Sequence, residues 1–126
     1  MTVNEAIMQV DSLKPNMYPA SRKVEWLNRL DGMLFQDVIM SHEREEGAPD
    51  AFVPYDPDGD LDDPLIAPFP YDTLYRFWLE SQIDLANSEL VKYNQSSVLF
   101  NEALAEFAGY YNRNHRPIQK VPGIIL

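Results

Sequence analysis

The chain carries 126 residues, 45% of them hydrophobic, which fits one domain built around a modest core. Twenty acidic residues against ten basic ones give a formal net charge of −10, which opposes the phosphate contacts that supply most nucleic-acid affinity. Cysteine is absent, so disulfide frameworks, zinc ribbons and thiol nucleophiles are excluded and packing must hold the fold.

Thr2-Val3-Asn4-Glu5 has capping-box spacing: the Thr2 hydroxyl can serve a free helix amide while Glu5 reaches back. Val3, Ile7, Val10 and Leu13 follow at helical intervals, predicting a helix over about residues 3–13 that stops before Pro15. Ser21 is the cap candidate for a second helix, with Val24, Leu27, Leu30, Leu34 and Val38 on one face and Trp26, Met33, Phe35 and Ile39 widening it. Gly32 interrupts that face at about 1 kcal/mol relative to alanine, and either weakens the helix or marks a close helix contact.

From Glu43 to Asp72 the composition changes, with ten acids, one base (Arg44) and six prolines. This acidic segment, 43–71, cannot be helical. Phe52-Val53 and Leu65-Ile66-Ala67 flank Pro57-Asp58-Gly59, which suggests a short β-ribbon turning at Gly59, with an irregular loop as the alternative.

Asp72 caps the longest periodic segment. Leu79, Ile83, Ala86, Leu90, Tyr93, Ser97, Phe100, Leu104, Phe107 and Tyr111 alternate spacings of three and four without losing phase. Unbroken phase favours one long, bent helix of ~40 residues, roughly 60 Å at the standard rise. A hairpin turning at Asn94 to Ser97 is the rival. The tail, 117–126, is apolar and averse to helix, and is expected to be extended and to gain burial from a partner. The whole chain, 1–126, reads as a single all-α domain: a small helical bundle with a long C-terminal helix.

No basic segment followed by an apolar run and a cleavage site opens the chain, and no apolar stretch approaches the ~18 residues of a membrane span. A protein made in the cytoplasm, without membrane contact, is expected.

Chemistry is thinly represented. Tyr55-Asp56-Pro57-Asp58-Gly59-Asp60-Leu61 has the alternating acids of a calcium loop, but Leu61 stands where the loop glycine belongs and Ala67 where a bidentate glutamate is needed. A solvated acidic turn is the better reading; an irregular oxygen cage built from the same Asp side chains is its rival. His42-Glu43-Arg44-Glu45-Glu46 begins like a zinc-protease helix, yet Glu46 replaces the second histidine. No nucleophile elbow and no glycine-rich phosphate loop is present. No catalytic residue, cofactor site or metal site is therefore assigned. Tyr71, Tyr75, Phe77 and Trp78 crowd the start of the long helix, with Tyr110 and Tyr111 at its far end. Aromatics at helical spacing are core formers first and interface formers second. As partner-interface candidates we take Tyr71, Tyr75, Trp78, Tyr110 and Tyr111, together with the tail residues Ile124, Ile125 and Leu126.

Four pieces carry a resemblance. They are Trp26-Leu27-Asn28-Arg29-Leu30-Asp31-Gly32 running on to His42-Glu43; Pro68-Phe69-Pro70-Tyr71-Asp72; Tyr75 through Leu79-Glu80-Ser81-Gln82-Ile83-Asp84-Leu85-Ala86-Asn87; and Tyr93-Asn94 through Phe100-Asn101 to Tyr110-Tyr111-Asn112-Arg113. From about residue 20 to 116 the chain resembles small tailed-bacteriophage proteins encoded among the head and neck genes. The resemblance implies a head-tail connector, or adaptor: a mostly helical structural protein of the virion that docks as a homo-oligomeric ring on the portal protein and prepares a surface for the next neck or tail protein. It implies no catalysis. The rival expectation is a cytoplasmic helical interaction module, a scaffold or regulator.

Overall fold

The computed structural model describes residues 1–118. It contains four α-helices: α1 (Val3–Leu13), α2 (Ala20–Leu34), α3 (Thr73–Ala86) and α4 (Leu90–Asn114), with a π-helical turn, Phe35–Ile39, continuing α2. The protein is thus mostly helical, as expected, and no strand forms among the described residues.

Helix α1 begins where the sequence places it. Thr2 Oγ1 accepts from the Glu5 amide and Glu5 Oε1 accepts from the Thr2 amide, each at 3.1 Å. Its inward face is Val3, Ala6, Ile7 and Val10. Helix α2 starts one residue before Ser21, with Pro19 at the cap position and no side-chain cap bond; Ser21 is a solvent-facing residue of the first turn, which corrects its assignment as a cap. Val24, Leu27, Leu30 and Leu34 are buried as the pattern requires. Gly32 approaches no helix: a Cβ added there would meet the Phe52 ring at 3.8 Å, an ordinary contact.

The expected single long helix is two antiparallel helices. The chain reverses at Asn87-Ser88-Glu89, and the hairpin pairs Tyr71 with Tyr110, Trp78 with Phe100 and Asp84 with Ser96. A Schellman motif makes the reversal: Ser88 N–H donates to Leu85 O at 3.0 Å and Glu89 N–H to Asp84 O at 2.9 Å, with Ser88 left-handed at φ 58°. The turn therefore lies before Asn94 to Ser97, a segment that is helical. The buried stripe of α4 is Ser96, Phe100, Ala103, Phe107 and Tyr111, so Ser97 and Leu104 are only half-buried and Leu90 is exposed.

The acidic segment is ordered without the expected ribbon. Its turn exists, with Gly59 N–H donating to Asp56 O at 3.1 Å, but Leu65 N–H pairs with Met1 O at 2.9 Å rather than with Phe52-Val53. Residues 61–65 instead cross the start of α1, where the carbonyls of Asp63 and Leu61 accept from the amides of Val3 at 3.0 Å and Asn4 at 2.9 Å. Those amides have no partner inside a helix, so the loop satisfies donors that every helix leaves open. The strap is tied to α2 as well: Asn28 accepts from the Tyr55 amide at 2.7 Å and donates to its carbonyl at 3.0 Å.

Candidate functional site

Three features stand out: a buried polar centre, an aromatic seam and two exposed apolar surfaces. Asp31 sits on the apolar face of α2, fully buried. Its Oδ1 accepts from Tyr75 Oη at 2.7 Å, and its Oδ2 accepts from Tyr55 Oη at 2.5 Å and Ile66 N–H at 3.1 Å. The Tyr75 hydroxyl in turn accepts from Ala67 N–H at 2.8 Å. Burial pushes the Asp31 carboxyl above its ordinary value, opposed by the three donors. Burial and the Asp31 charge push both phenols up, so they remain donors. The arrangement joins α2, α3 and the acidic strap. Asp31 and Tyr75 have no exposed surface and Tyr55 is 8% exposed, so the centre is enclosed by the elements it joins.

A second buried carboxylate, Asp84 of α3, contacts Lys14 Nζ and accepts from Ser96 Oγ at 2.9 Å. It ties the link after α1 to both hairpin helices. Lys23 is buried on α2, its Nζ 2.7 Å from Asp11 Oδ1 and 2.7 Å from Tyr18 O.

The sequence-predicted aromatic residues are brought together, mainly as packing. Tyr71 stacks on Tyr110 with ring centroids 4.4 Å apart, and Trp78 lies 5.1 Å from Phe100 while its Nε1–H donates to Trp26 O at 2.8 Å. Tyr71, Trp78 and Tyr110 keep part of their surface in solvent. Tyr75 keeps none and Tyr111 little, so these two interface candidates serve the interior. Ile124, Ile125 and Leu126 lie outside the described residues.

His42 is buried beside Tyr111, with ring centroids 5.0 Å apart. Its Nδ1 lies 2.6 Å from Val38 O and its Nε2 3.2 Å from Asn112 Oδ1, which fastens the end of the π turn to α4. Asp56 and Asp60 turn their carboxylates onto the amides of Asp58 and Asp62, at 2.9 and 3.2 Å. Among the described residues, no group of three His, Asp or Glu side chains converges as a metal-binding set. No helix among them is long and apolar enough to cross a membrane.

Two apolar surfaces were not singled out in the sequence. At the closed end of the hairpin, Leu85, Leu90, Val91, Val98 and Leu99 are exposed, Val91 to 73%. Between the end of α2 and α4 lies a cleft of about 180 Å³ lined by Met33, Leu34, Asp37, Val38, Leu104 and Ala108. A clue existed for the first: Val91 and Val98 are seven apart, and therefore share a face that the heptad stripe does not use.

The chain matches no family model, and neither curated proteins nor solved structures show a significant similarity to it.

Proposed function

We propose that the chain is a structural protein of virion assembly: a head-tail connector that docks on a portal ring and joins it to the next neck or tail protein, without catalysis. The observation that supports this reading most is the hairpin tip. Leu85, Leu90, Val91, Val98 and Leu99 are each exposed toward the closed end of the two-helix arm, with Leu90 and Leu99 on opposite sides of α4, so the arm carries uncovered apolar side chains that a protein contact could bury. The arm is stiffened by the Tyr71–Tyr110 stack and the Asp84–Ser96 bond, so it can present that end at a fixed angle. A net charge of −10 suits a ring through which DNA must pass without being held. In this reading the protein is made in the bacterial cytoplasm and ends at the head-tail junction, in repeated copies around the portal.

The test is binding to the portal protein encoded beside this chain's gene. Electron microscopy should show the chain as a ring on isolated portals. The Leu90→Glu/Val98→Glu double variant should melt within about 1 kcal/mol of wild type, because both positions are exposed, yet fail to bind. Absence of a portal gene in the neighbourhood, or binding that survives the double variant, would count against the reading. The first outcome would favour a cytoplasmic scaffold or regulator using the same tip.

A further inference from the structure

One face of α4 is turned away from α3. Val91, Gln95, Val98, Glu102 and Ala105 recur at alternating intervals of four and three, so they form one stripe along the helix. Beside it runs a second line, Lys92, Leu99 and Glu106, each seven residues from the next. Every one of these side chains is exposed. The buried stripe, from Ser96 and Phe100 to Tyr111, occupies the other side of the helix. The outer stripe therefore has the spacing of a helix that packs on a second helix, at a place where α3 cannot supply one.

The order of charges on this face indicates what would cover it. Lys92 lies toward one end, Glu102 and Glu106 lie toward the other, and Leu99 is midway between Lys92 and Glu106. In an antiparallel pair of identical helices about a two-fold axis, the same flank of each helix meets its own copy in reverse order. With the axis at Leu99, Lys92 faces Glu106 of the second copy at both ends, the Gln95 amide lies beside the second copy's Glu102 carboxylate, and Leu99 meets Leu99. Val91, Val98 and Leu99, exposed to 73%, 57% and 44%, lose water in the same step. A parallel pair would instead set Lys92 on Lys92 and Glu106 on Glu106, and like charges repel. Lys92 Nζ also lies 3.4 Å from Glu89 Oε2 of its own chain; that pair is exposed, and an ammonium has donors for both carboxylates.

We propose that the free chain pairs with a second copy of itself through the outer face of α4, antiparallel, about a two-fold axis at Leu99. Nothing in this arrangement depends on the connector reading. A two-fold contact closes on itself, so it belongs to the free chain and not to a ring. From Val91 to Glu106 the face is about 24 Å long at the standard rise, which makes the contact a small one, with pairing in the micromolar range. The pair covers Val98, and so withholds one of the uncovered side chains of the arm from any other partner.

Sedimentation equilibrium of the full-length chain tests this without a portal. Wild type should pass from monomer to dimer within the micromolar range. Lys92→Glu and Glu106→Lys each set like charges face to face twice per pair, and each should weaken pairing roughly tenfold with unchanged far-UV circular dichroism, since both positions are exposed. An equimolar mixture of the two variants should pair at least as tightly as wild type, because every facing pair is again of opposite sign. The mixture carries the total charge of two wild-type chains, so net repulsion is held constant. A monomeric wild type throughout the range would overturn the proposal, as would single variants that pair like wild type, or a mixture no tighter than its components. The absence of cysteine allows a second readout of direction. With glutathione disulfide as oxidant, Leu99→Cys should give a disulfide-linked dimer roughly tenfold faster than Ala105→Cys, whose two copies lie about 18 Å apart along the antiparallel pair. Equal rates would mean a parallel or unspecific contact and would also overturn it.

Discussion

Replacing Tyr75 by Phe removes one oxygen from the centre of the fold. That oxygen donates to Asp31 Oδ1 at 2.7 Å and accepts from Ala67 N–H at 2.8 Å, in a residue with no exposed surface. A hydrogen bond to a charged group contributes about 1.5–3 kcal/mol, and leaving a buried amide without an acceptor costs about 1–3 kcal/mol. The two losses share an atom and do not add in full, so the expected cost is about 3–5 kcal/mol. For 126 residues, 1 kcal/mol corresponds to roughly 4 °C, so the Tm should fall by about 10–20 °C. Tyr55→Phe removes a donor to the same carboxylate, at 2.5 Å, but orphans no amide, and should cost about 1.5–3 kcal/mol. Urea titrations followed by far-UV circular dichroism, with calorimetric melting alongside, measure both. If Tyr75→Phe lies within 1 kcal/mol of wild type, or Tyr55→Phe costs as much, the assignment of energy to the Tyr75 oxygen is wrong.

The same centre sets a pH dependence. Because burial raises the folded-state Asp31 carboxyl above 3.8, the folded protein binds its proton more readily than the unfolded chain does. The contribution is full below 3.8 and declines as the pH rises through the folded value, so the stability of wild type relative to Asp31→Asn should fall on raising the pH from acid. A relative stability that rises over that interval would contradict the sign. Gly32→Ala should stabilise the protein by about 0.5–1 kcal/mol and raise the Tm by about 2–4 °C, because the helix interior gains a residue of higher propensity. The added methyl meets Phe52 at 3.8 Å, which is ordinary contact; a loss of stability would mean that Phe52 cannot accept it.

The residues at the start of the chain announce their structure locally. The Thr2–Glu5 capping box and the three-and-four spacing of Val3, Val10, Val24, Leu27, Leu30 and Leu34 depend only on neighbours within one or two turns, and the fold uses them as read. The hairpin was hidden for an equally local reason. A Schellman reversal usually advertises itself with glycine, and here Ser88 takes the left-handed position. Ala86 and Leu90 are four apart, so the heptad phase runs through the turn as if no turn were there. Antiparallel packing then decided which face of α4 is buried: Ser96 turns inward because Asp84 lies opposite, and Leu90, Val91 and Val98 are left outside.

Composition alone marked 43–71 as non-helical, but composition does not carry hydrogen-bond partners. The Leu61 and Asp63 carbonyls found the open amides of α1, and Tyr55 found Asn28 and Asp31, across distances in sequence that no periodicity spans. Tyr75 shows the same limit at the candidate site. The sequence identified it as an aromatic residue fit for either core or interface, and its neighbours at helical spacing could not choose between them. The choice fell to Asp31, 44 residues away, because a buried carboxylate must gather donors and the Tyr75 hydroxyl is one of those the folded chain brings within reach.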